Sequence, residues 1–282
     1  MKILITGSTG AIGSNLTPWL EKNNEVVALK SDVRDKLSLE DEIHPHTDAD
    51  WIINLAGIVN TDLCNLAKRH AYDVNVIGAE NVAKTAKNYG IKLCHFSTTA
   101  FYKPTDLIRE DSAVEPQTWY GTTKYLGELA VRKVLNDDVL VIRPCFAFGG
   151  DNDRSLASRL IYSAYYHEPI VVQLNPIYKK DYMHVLNLCD AIEKVLETGY
   201  IGNVNISVGQ PIAFGDVVET AKKVVGKDPF IYWVPEDDYM KDHIVDHTKF
   251  MSLVDWKPTI TLEEGMKIVF EKIKKVNTTR QT

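Results

Sequence analysis

The chain has 282 residues, 45% of them hydrophobic and 25% charged, and its 32 Lys and Arg against 38 Asp and Glu give a formal net charge of −6. A chain of this length removes roughly 75% of its unfolded surface from water, so its core needs no disulfide or metal staple. The acidic balance, with no Lys/Arg run longer than two residues, leaves nothing to neutralise a phosphate backbone, so no nucleic-acid partner is expected.

The first apolar run, Ile3-Leu4-Ile5, is cut short by Thr6-Gly7. That is too little for a signal-peptide core or a membrane span, so a cytoplasmic protein without a membrane partner is expected. Strand-length apolar runs at 2–6, 25–29, 51–55, 91–97 and 139–143 alternate with helical periodicity over 11–22, 37–43, 71–89 and 118–135. The runs are continuous rather than alternating, which marks strands covered on both faces. The series predicts an α/β fold with a doubly wound parallel sheet over 1–145.

Beyond Cys145 the pattern loosens. Gly149-Gly150, Pro169, Pro176, Pro211 and Pro235 punctuate shorter elements before a last helix near 262–275 and a polar tail, 277–282, expected to fray. Residues 146–282 are therefore assigned mainly to a smaller lobe, with part of 182–208 returning to the sheet. Cys64, Cys94, Cys145 and Cys189 form no Cys-x-x-Cys pair and have no His at ligand spacing; they read as reduced, buried thiols, and no metal site is expected.

Between the first strand and the first helix stands Gly7-Ser8-Thr9-Gly10-Ala11-Ile12-Gly13. Gly7 permits a tight turn, Gly10 lets backbone approach a pyrophosphate, and Gly13 lets helix and strand pack closely, with the phosphates on free N–H groups at the helix N-terminus. Thr9, Ala11 and Ile12 line the same loop. An acidic residue ending the second strand commonly grips the adenosine ribose hydroxyls, whereas a basic one accommodates a 2′-phosphate. Here the strand ends in Lys30, beside Ser31, which favours NADP(H) over NAD(H) as cofactor. Asp32 is placed either to accept from the adenine amino group or to cap the following helix.

Tyr120 and Lys124, four apart at the start of a predicted helix, share one face. A neighbouring ammonium and a cationic nicotinamide ring both favour a phenolate, which suits the couple to proton transfer at a carbonyl or carbinol oxygen. Upstream, the fourth strand ends in Ser97-Thr98-Thr99-Ala100-Phe101-Tyr102, whose hydroxyls would face the cleft at the carboxyl ends of the strands.

With these features together the chain resembles an extended short-chain dehydrogenase/reductase of the sugar-nucleotide epimerase, dehydratase and reductase group. Supporting segments are Asn54-Leu55-Ala56-Gly57, 73–82, Lys180-Asp181-Tyr182-Met183-His184-Val185, and Asp255-Trp256-Lys257-Pro258 with Leu262-Glu263-Glu264-Gly265. The resemblance implies a Rossmann domain with a substrate-binding lobe, cofactor contacts from Leu55, Ala56 and Gly57, and a Thr98–Tyr120–Lys124 triad, with Ser97 and Thr99 as alternatives to Thr98. In reduction Tyr120 would protonate the ketone oxygen of a nucleotide-diphosphate sugar, Thr98 would hydrogen-bond it, and Lys124 would hold the nicotinamide ribose. It also implies a homodimer formed through the helices at 71–89 and 118–135.

Dehydratases of the group follow the triad Thr with an Asp-Glu pair, where this chain has Thr99-Ala100. Phe146 stands where epimerases and dehydratases commonly carry Asn and the 4-dehydrorhamnose reductases carry Trp, so the expected reaction is NADPH-dependent reduction of a 4-keto-6-deoxyhexose. Thr99, Phe146 and Lys180 are the expected sugar and diphosphate contacts. The alternatives are an NAD-dependent 4-epimerase, which the Ala11-Ile12 loop resembles, and a non-catalytic cofactor-binding subunit. Arg143 is expected either at the diphosphate or as a buried structural group, His184 as a core histidine, and the Tyr162, Tyr165, Tyr166 stripe as packing between lobes.

Overall fold

In the computed structural model, residues 1–151, 153–234 and 242–281 are described, with side chains as far as Val276. The first half alternates strands and helices: β1 (Lys2–Thr6), α1 (Gly13–Leu20), β2 (Glu25–Ala28), α2 (Lys36–Ile43), β3 (Trp51–Asn54), α3 (Thr61–Leu66), α4 (Lys68–Tyr72), α5 (Ala79–Tyr89), β4 (Lys92–Phe96), α6 (Trp119–Leu135) and β5 (Leu140–Pro144). There follow β6 (Phe146–Phe148), α7 (Leu156–Tyr166), β7 (Ile170–Val172), β8 (Lys179–Lys180), β9 (Tyr182–His184), α8 (Val185–Thr198), β10 (Gly202–Ile206), β11 (Ile212–Ala213), α9 (Phe214–Val225), β12 (Ile231–Trp233), α10 (Thr248–Leu253) and α11 (Leu262–Gln281).

A six-stranded sheet runs β10-β5-β4-β3-β1-β2, and every pairing in it is parallel. Successive residues of each strand face opposite layers: Ile3 and Ile5 join Leu16, Leu20, Leu188 and Ile192 on the side of α1 and α8, whereas Leu4 joins Val82, Ala83 and Ala86 on the side of α5. Burial on both faces explains why the strands read as unbroken apolar runs. The strand order reverses direction at β1, so the crevice outside the carboxyl ends of β1 and β3 is where such sheets bind ligands. The strand β10 and the helix α8 before it complete the sheet from the second half of the chain. The remaining elements gather on a separate cluster in which Phe148, Leu160, Phe214, Val217, Met266 and Val269 are buried.

Two predicted helices differ from what forms. The periodicity over 71–89 is broken, because α4 and α5 are separated by a π-helical turn at Asp73–Gly78. The Asn75 side chain explains the wider turn: its amide donates to the Ile58 carbonyl and to Thr123 Oγ1, while its Oδ1 accepts from the Ile58 N–H at 2.8 Å. The tail expected to fray continues α11 as far as Gln281, with no Gly or Pro to stop it. Thr282 and Pro235 lie outside the described residues. All four cysteines are free and buried, and among the described residues no helix is long and apolar enough to cross a membrane.

Candidate active site

The glycine loop is fixed by backbone crowding. Gly7 has φ of +68°, and a Cβ there would stand 2.6 Å from the Ala56 nitrogen; one on Gly13 would stand 2.3 Å from the Gly7 carbonyl oxygen. Neither position has room for any other residue. The Gly10 N–H donates to the Gly7 carbonyl at 3.0 Å, Thr9 and Gly10 are exposed, and Ile12 tucks into the core beneath. No side chain caps α1 and its first turn has no acidic residue, so the positive end of the helix opens onto the loop. Gly150 from the second half meets this loop: a Cβ there would be 2.1 Å from the Ala11 carbonyl oxygen. A cradle of bare backbone at a helix N-terminus fits the pyrophosphate of a dinucleotide.

At the end of β2 the positions differ from expectation. Lys30 is exposed, but its N–H and that of Ser31 both donate to the Glu42 carboxylate, at 2.9 Å in each case for the shorter contact. Asp32 does not cap the next helix; that role falls to Asp35, which accepts from the Ser38 N–H. Asp32 instead accepts from the Arg34 N–H and pairs with the Arg34 guanidinium at 2.5 Å, which holds its carboxyl below the usual range.

After β3, Leu55 packs on the core, and the Ala56 N–H donates to Thr6 Oγ1, which in turn donates to Asn54 Oδ1 at 2.7 Å. Gly57 lies under Lys124: a Cβ on Gly57 would be 3.7 Å from Lys124 Nζ and 3.2 Å from Asn75 Oδ1. Helix α6 begins where Thr118 accepts from the Gly121 N–H at 3.1 Å, and Gly121 sits so close to the turn after β4 that a Cβ would be 2.9 Å from the Ala100 carbonyl oxygen. This approach brings Tyr120 beside Thr98, whose hydroxyl accepts from the Ala100 N–H at 3.1 Å. Of the three candidate hydroxyls, Thr98 is the one that meets Tyr120. Ser97 lies toward Glu128 and Thr99 toward the second half of the chain.

The electrostatics depart from the sequence expectation for Tyr120. Burial pushes the phenol above its ordinary value, and the neighbouring Thr98 hydroxyl offsets this only in part. Lys124 does not lower it: its Nζ is turned to the Phe96 carbonyl oxygen at 2.5 Å, and burial pulls the ammonium itself down to about 8, against the opposing charge of Glu128. The chain's own groups thus keep Tyr120 a protonated phenol.

Arg143 does not reach toward a diphosphate. Its Nε donates to Glu128 at 3.0 Å, a second nitrogen pairs with the same carboxylate, and the third is held by the Tyr102 hydroxyl and the Glu110 carbonyl. The guanidinium and Glu128 are both buried, so the pair clamps the loop after β4 onto α6. The expected diphosphate contact is therefore replaced by the structural role, because every face of the guanidinium already has a partner.

The three expected substrate contacts do come together. Lys180 Nζ stands 4.6 Å over the Phe146 ring, and the ring of His243 meets Phe146 edge-on at 5.1 Å. His243 Nε2 and Thr99 Oγ1 share a hydrogen bond of 2.9 Å. Burial lowers Lys180 to about 8; His243 falls to about 3 through burial and the nearby Lys180 charge, so its imidazole is neutral. Asp181, wholly buried, accepts from the Gln210 and Val245 N–H groups and so ties the His243 segment to β8. His243 escaped the sequence reading, since it stands alone in an irregular stretch without periodicity or motif. The roles of Asn75, Glu42 and Gly150 escaped it too, because each depends on backbone groups that only the fold brings within reach.

His184 is a core residue that accepts from the Leu186 N–H, with burial lowering it to about 4. The tyrosine stripe splits. Tyr165 packs edge-on against Phe270, but Tyr162 and Tyr166 stack on each other at the surface instead of packing between lobes.

The family model described as the RmlD substrate binding domain matches residues 1–175. The spore coat polysaccharide biosynthesis protein SpsK of Bacillus subtilis is 31% identical over 189 residues, which cover 64% of this chain and 66% of that protein, just under two thirds. A dTDP-4-dehydrorhamnose reductase of Streptomyces griseus is 28% identical over 56% of this chain and 53% of its own length, so that match spans about half of the relative. Among solved structures, a UDP-glucuronic acid 4-epimerase from Bacillus cereus in complex with UDP-glucuronic acid and NAD superposes with a TM-score of 0.88 at 21% identity, covering 98% of this chain and 100% of that one. RMD from Pseudomonas aeruginosa, complexed with NADPH, gives 0.86 at 19% identity over 98% and 99%. At these identities the structural likeness establishes the fold.

Proposed function

The chain belongs to the family of the RmlD substrate binding domain, among the extended short-chain dehydrogenases/reductases that act on sugar nucleotides, and from that membership we propose that it reduces the ketone of a nucleotide-diphosphate 4-keto-6-deoxyhexose. The observation that carries this reading is the placement of the Thr98 hydroxyl beside a Tyr120 phenol held protonated by burial. A phenol in that state is ready to give its proton to a ketone oxygen, and Thr98 stands beside it to accept or donate a second hydrogen bond there. Bound in the glycine cradle of Gly7, Gly10, Gly13 and Gly150, a nicotinamide dinucleotide would supply the hydride. Lys124, between Gly57 and the Phe96 carbonyl, is positioned to hold a ribose hydroxyl.

Dehydration is disfavoured by the next two positions. Thr99 is tied to a neutral His243 and Ala100 has no acid, so neither can remove and return a proton at carbon. On the substrate side, Lys180 over Phe146 offers one half-buried cation for a diphosphate, with Phe146, Thr99 and His243 as walls for the sugar. The exposed Lys30 supports NADPH over NADH, and Leu129, 43% exposed on α6, supports a homodimer through that helix.

The second reading is an NAD-dependent 4-epimerase, favoured by the Ala11-Ile12 form of the glycine loop. Incubation of the purified protein with NADPH, or separately NADH, and a panel of nucleotide 4-keto-6-deoxy sugars distinguishes the two through nicotinamide absorbance. Stoichiometric loss of the reduced cofactor with one of the sugars is expected. A protein that is isolated with NAD bound and interconverts sugars without added cofactor would overturn the reductase reading in favour of the epimerase.

A further inference from the structure

Dinucleotide-binding sheets place the adenosine ribose at the carboxyl end of the second strand, about twenty residues beyond the glycine loop, where a carboxylate selects the free 2′-hydroxyl and a cation accepts the 2′-phosphate. In this chain that end holds Lys30, and on the strand alone the preference is for the phosphate. The structure adds a carboxylate from elsewhere. Glu42, on the last turn of α2, reaches back under the strand end and accepts from the Lys30 N–H at 2.9 and 3.1 Å and from the Ser31 N–H at 2.9 Å. Both of its oxygens are engaged, and the two N–H groups that could otherwise bind a phosphate are already used. Ser31 is fixed further by its hydroxyl, which donates to the Ser38 carbonyl at 3.1 Å. The other nearby cation, Arg34, is committed to Asp32. The strand end therefore presents one exposed ammonium set against one carboxylate.

We propose that Glu42 is a cofactor-specificity residue: it supplies from α2 the negative charge that the strand end lacks, opposes the 2′-phosphate, and keeps NADH usable beside NADPH. The inference rests on the nicotinamide reading above and deepens it. A unit charge a few ångströms away across water is worth roughly fivefold in binding, which sets the size of the effect.

Direct titration of each reduced cofactor into the protein, followed by energy transfer from tryptophan to the nicotinamide, gives the two dissociation constants without any turnover. For Glu42→Gln, the ratio of NADPH to NADH affinity should rise about fivefold or more over the unsubstituted chain. Lys30→Ala, at an exposed position that leaves the packing untouched, provides the second arm: with Glu42 unopposed, the ratio should fall by a similar factor. A ratio that stays within about twofold in Glu42→Gln, with both cofactors still binding, overturns the proposal. So does an unchanged ratio in Lys30→Ala, should Glu42→Gln be too unstable to titrate. Binding of neither cofactor by the unsubstituted chain would instead overturn the nicotinamide reading on which the inference rests.

Discussion

The two walls of the cleft are built in different ways. The wall from the first half of the chain, comprising the glycine loop, Gly57, Thr98, Tyr120 and Lys124, is set by close backbone approaches at the ends of regular strands and helices. The wall from the second half, comprising Phe146, Lys180 and His243, is assembled from a three-residue strand, a two-residue strand and an isolated bridge, held together by the buried carboxylate of Asp181. The first wall is rigid because any side chain larger than hydrogen at Gly7 or Gly13 would collide with main chain. The second depends on side-chain partners that can be exchanged. Chemistry is thus anchored where the fold allows least variation, and substrate choice is left where it allows most.

Arg143 tests the rigidity of the first wall most severely. Removing one partner of a buried pair leaves an uncompensated charge, so Arg143→Met should cost about 3–5 kcal/mol of stability, measured by denaturant unfolding, and adding Glu128→Gln should recover much of it. If Arg143 served the substrate rather than the fold, the single variant would unfold normally and lose only affinity for the sugar nucleotide.

Thr98→Ala should lower kcat by about 10²-fold, because its hydroxyl stands beside the phenol at the reacting oxygen, whereas Thr99→Ala should leave kcat within a few-fold and act on KM. Reversal of that order would assign the triad hydroxyl to Thr99. His243→Ala, on the adaptable wall, should raise KM for the sugar nucleotide by about tenfold with little change in kcat, since it removes the ring that packs on Phe146 and the hydrogen bond that holds the Thr99 hydroxyl. A fall in kcat equal to that of Thr98→Ala would move His243 to the chemical side.

The smallest effect expected is on acid stability. His95 and His243 are held down to about 3 and His184 to about 4, all chiefly by burial, from 6.5 in the unfolded chain. Below pH 6.5 the unfolded chain therefore binds protons that the folded one refuses. Stability should be complete above pH 6.5 and fall as the pH drops toward 4. His243→Asn should make that fall shallower in thermal melts between pH 4 and 6.5, and an unchanged slope would mean that His243 is not held neutral in the fold.

How much of this was legible follows the same division. Continuous apolar runs gave the parallel sheet because both of its faces are covered, and the glycine spacing gave the loop because the crowding at Gly7 and Gly13 is local. The break at Asp73–Gly78 was not legible: it follows from bonds that Asn75 makes to Ile58 and Thr123 across the fold, while the apolar periodicity runs straight through it. Arg143 could be read either way because a strand-end arginine near a cleft looks the same in sequence whether or not a buried Glu128 waits across from it. His243 and Glu42 left no pattern at all, since each acts through partners placed by tertiary contacts.

The central claim is that Tyr120, set beside Thr98, delivers the proton to a sugar ketone. The most direct measurement is ketosugar-dependent oxidation of NADPH by the unsubstituted chain and by Tyr120→Phe side by side, with cofactor binding monitored in both. The account predicts a loss of about 10²–10⁴ in rate with cofactor affinity retained. Turnover by Tyr120→Phe at the unsubstituted rate would contradict it.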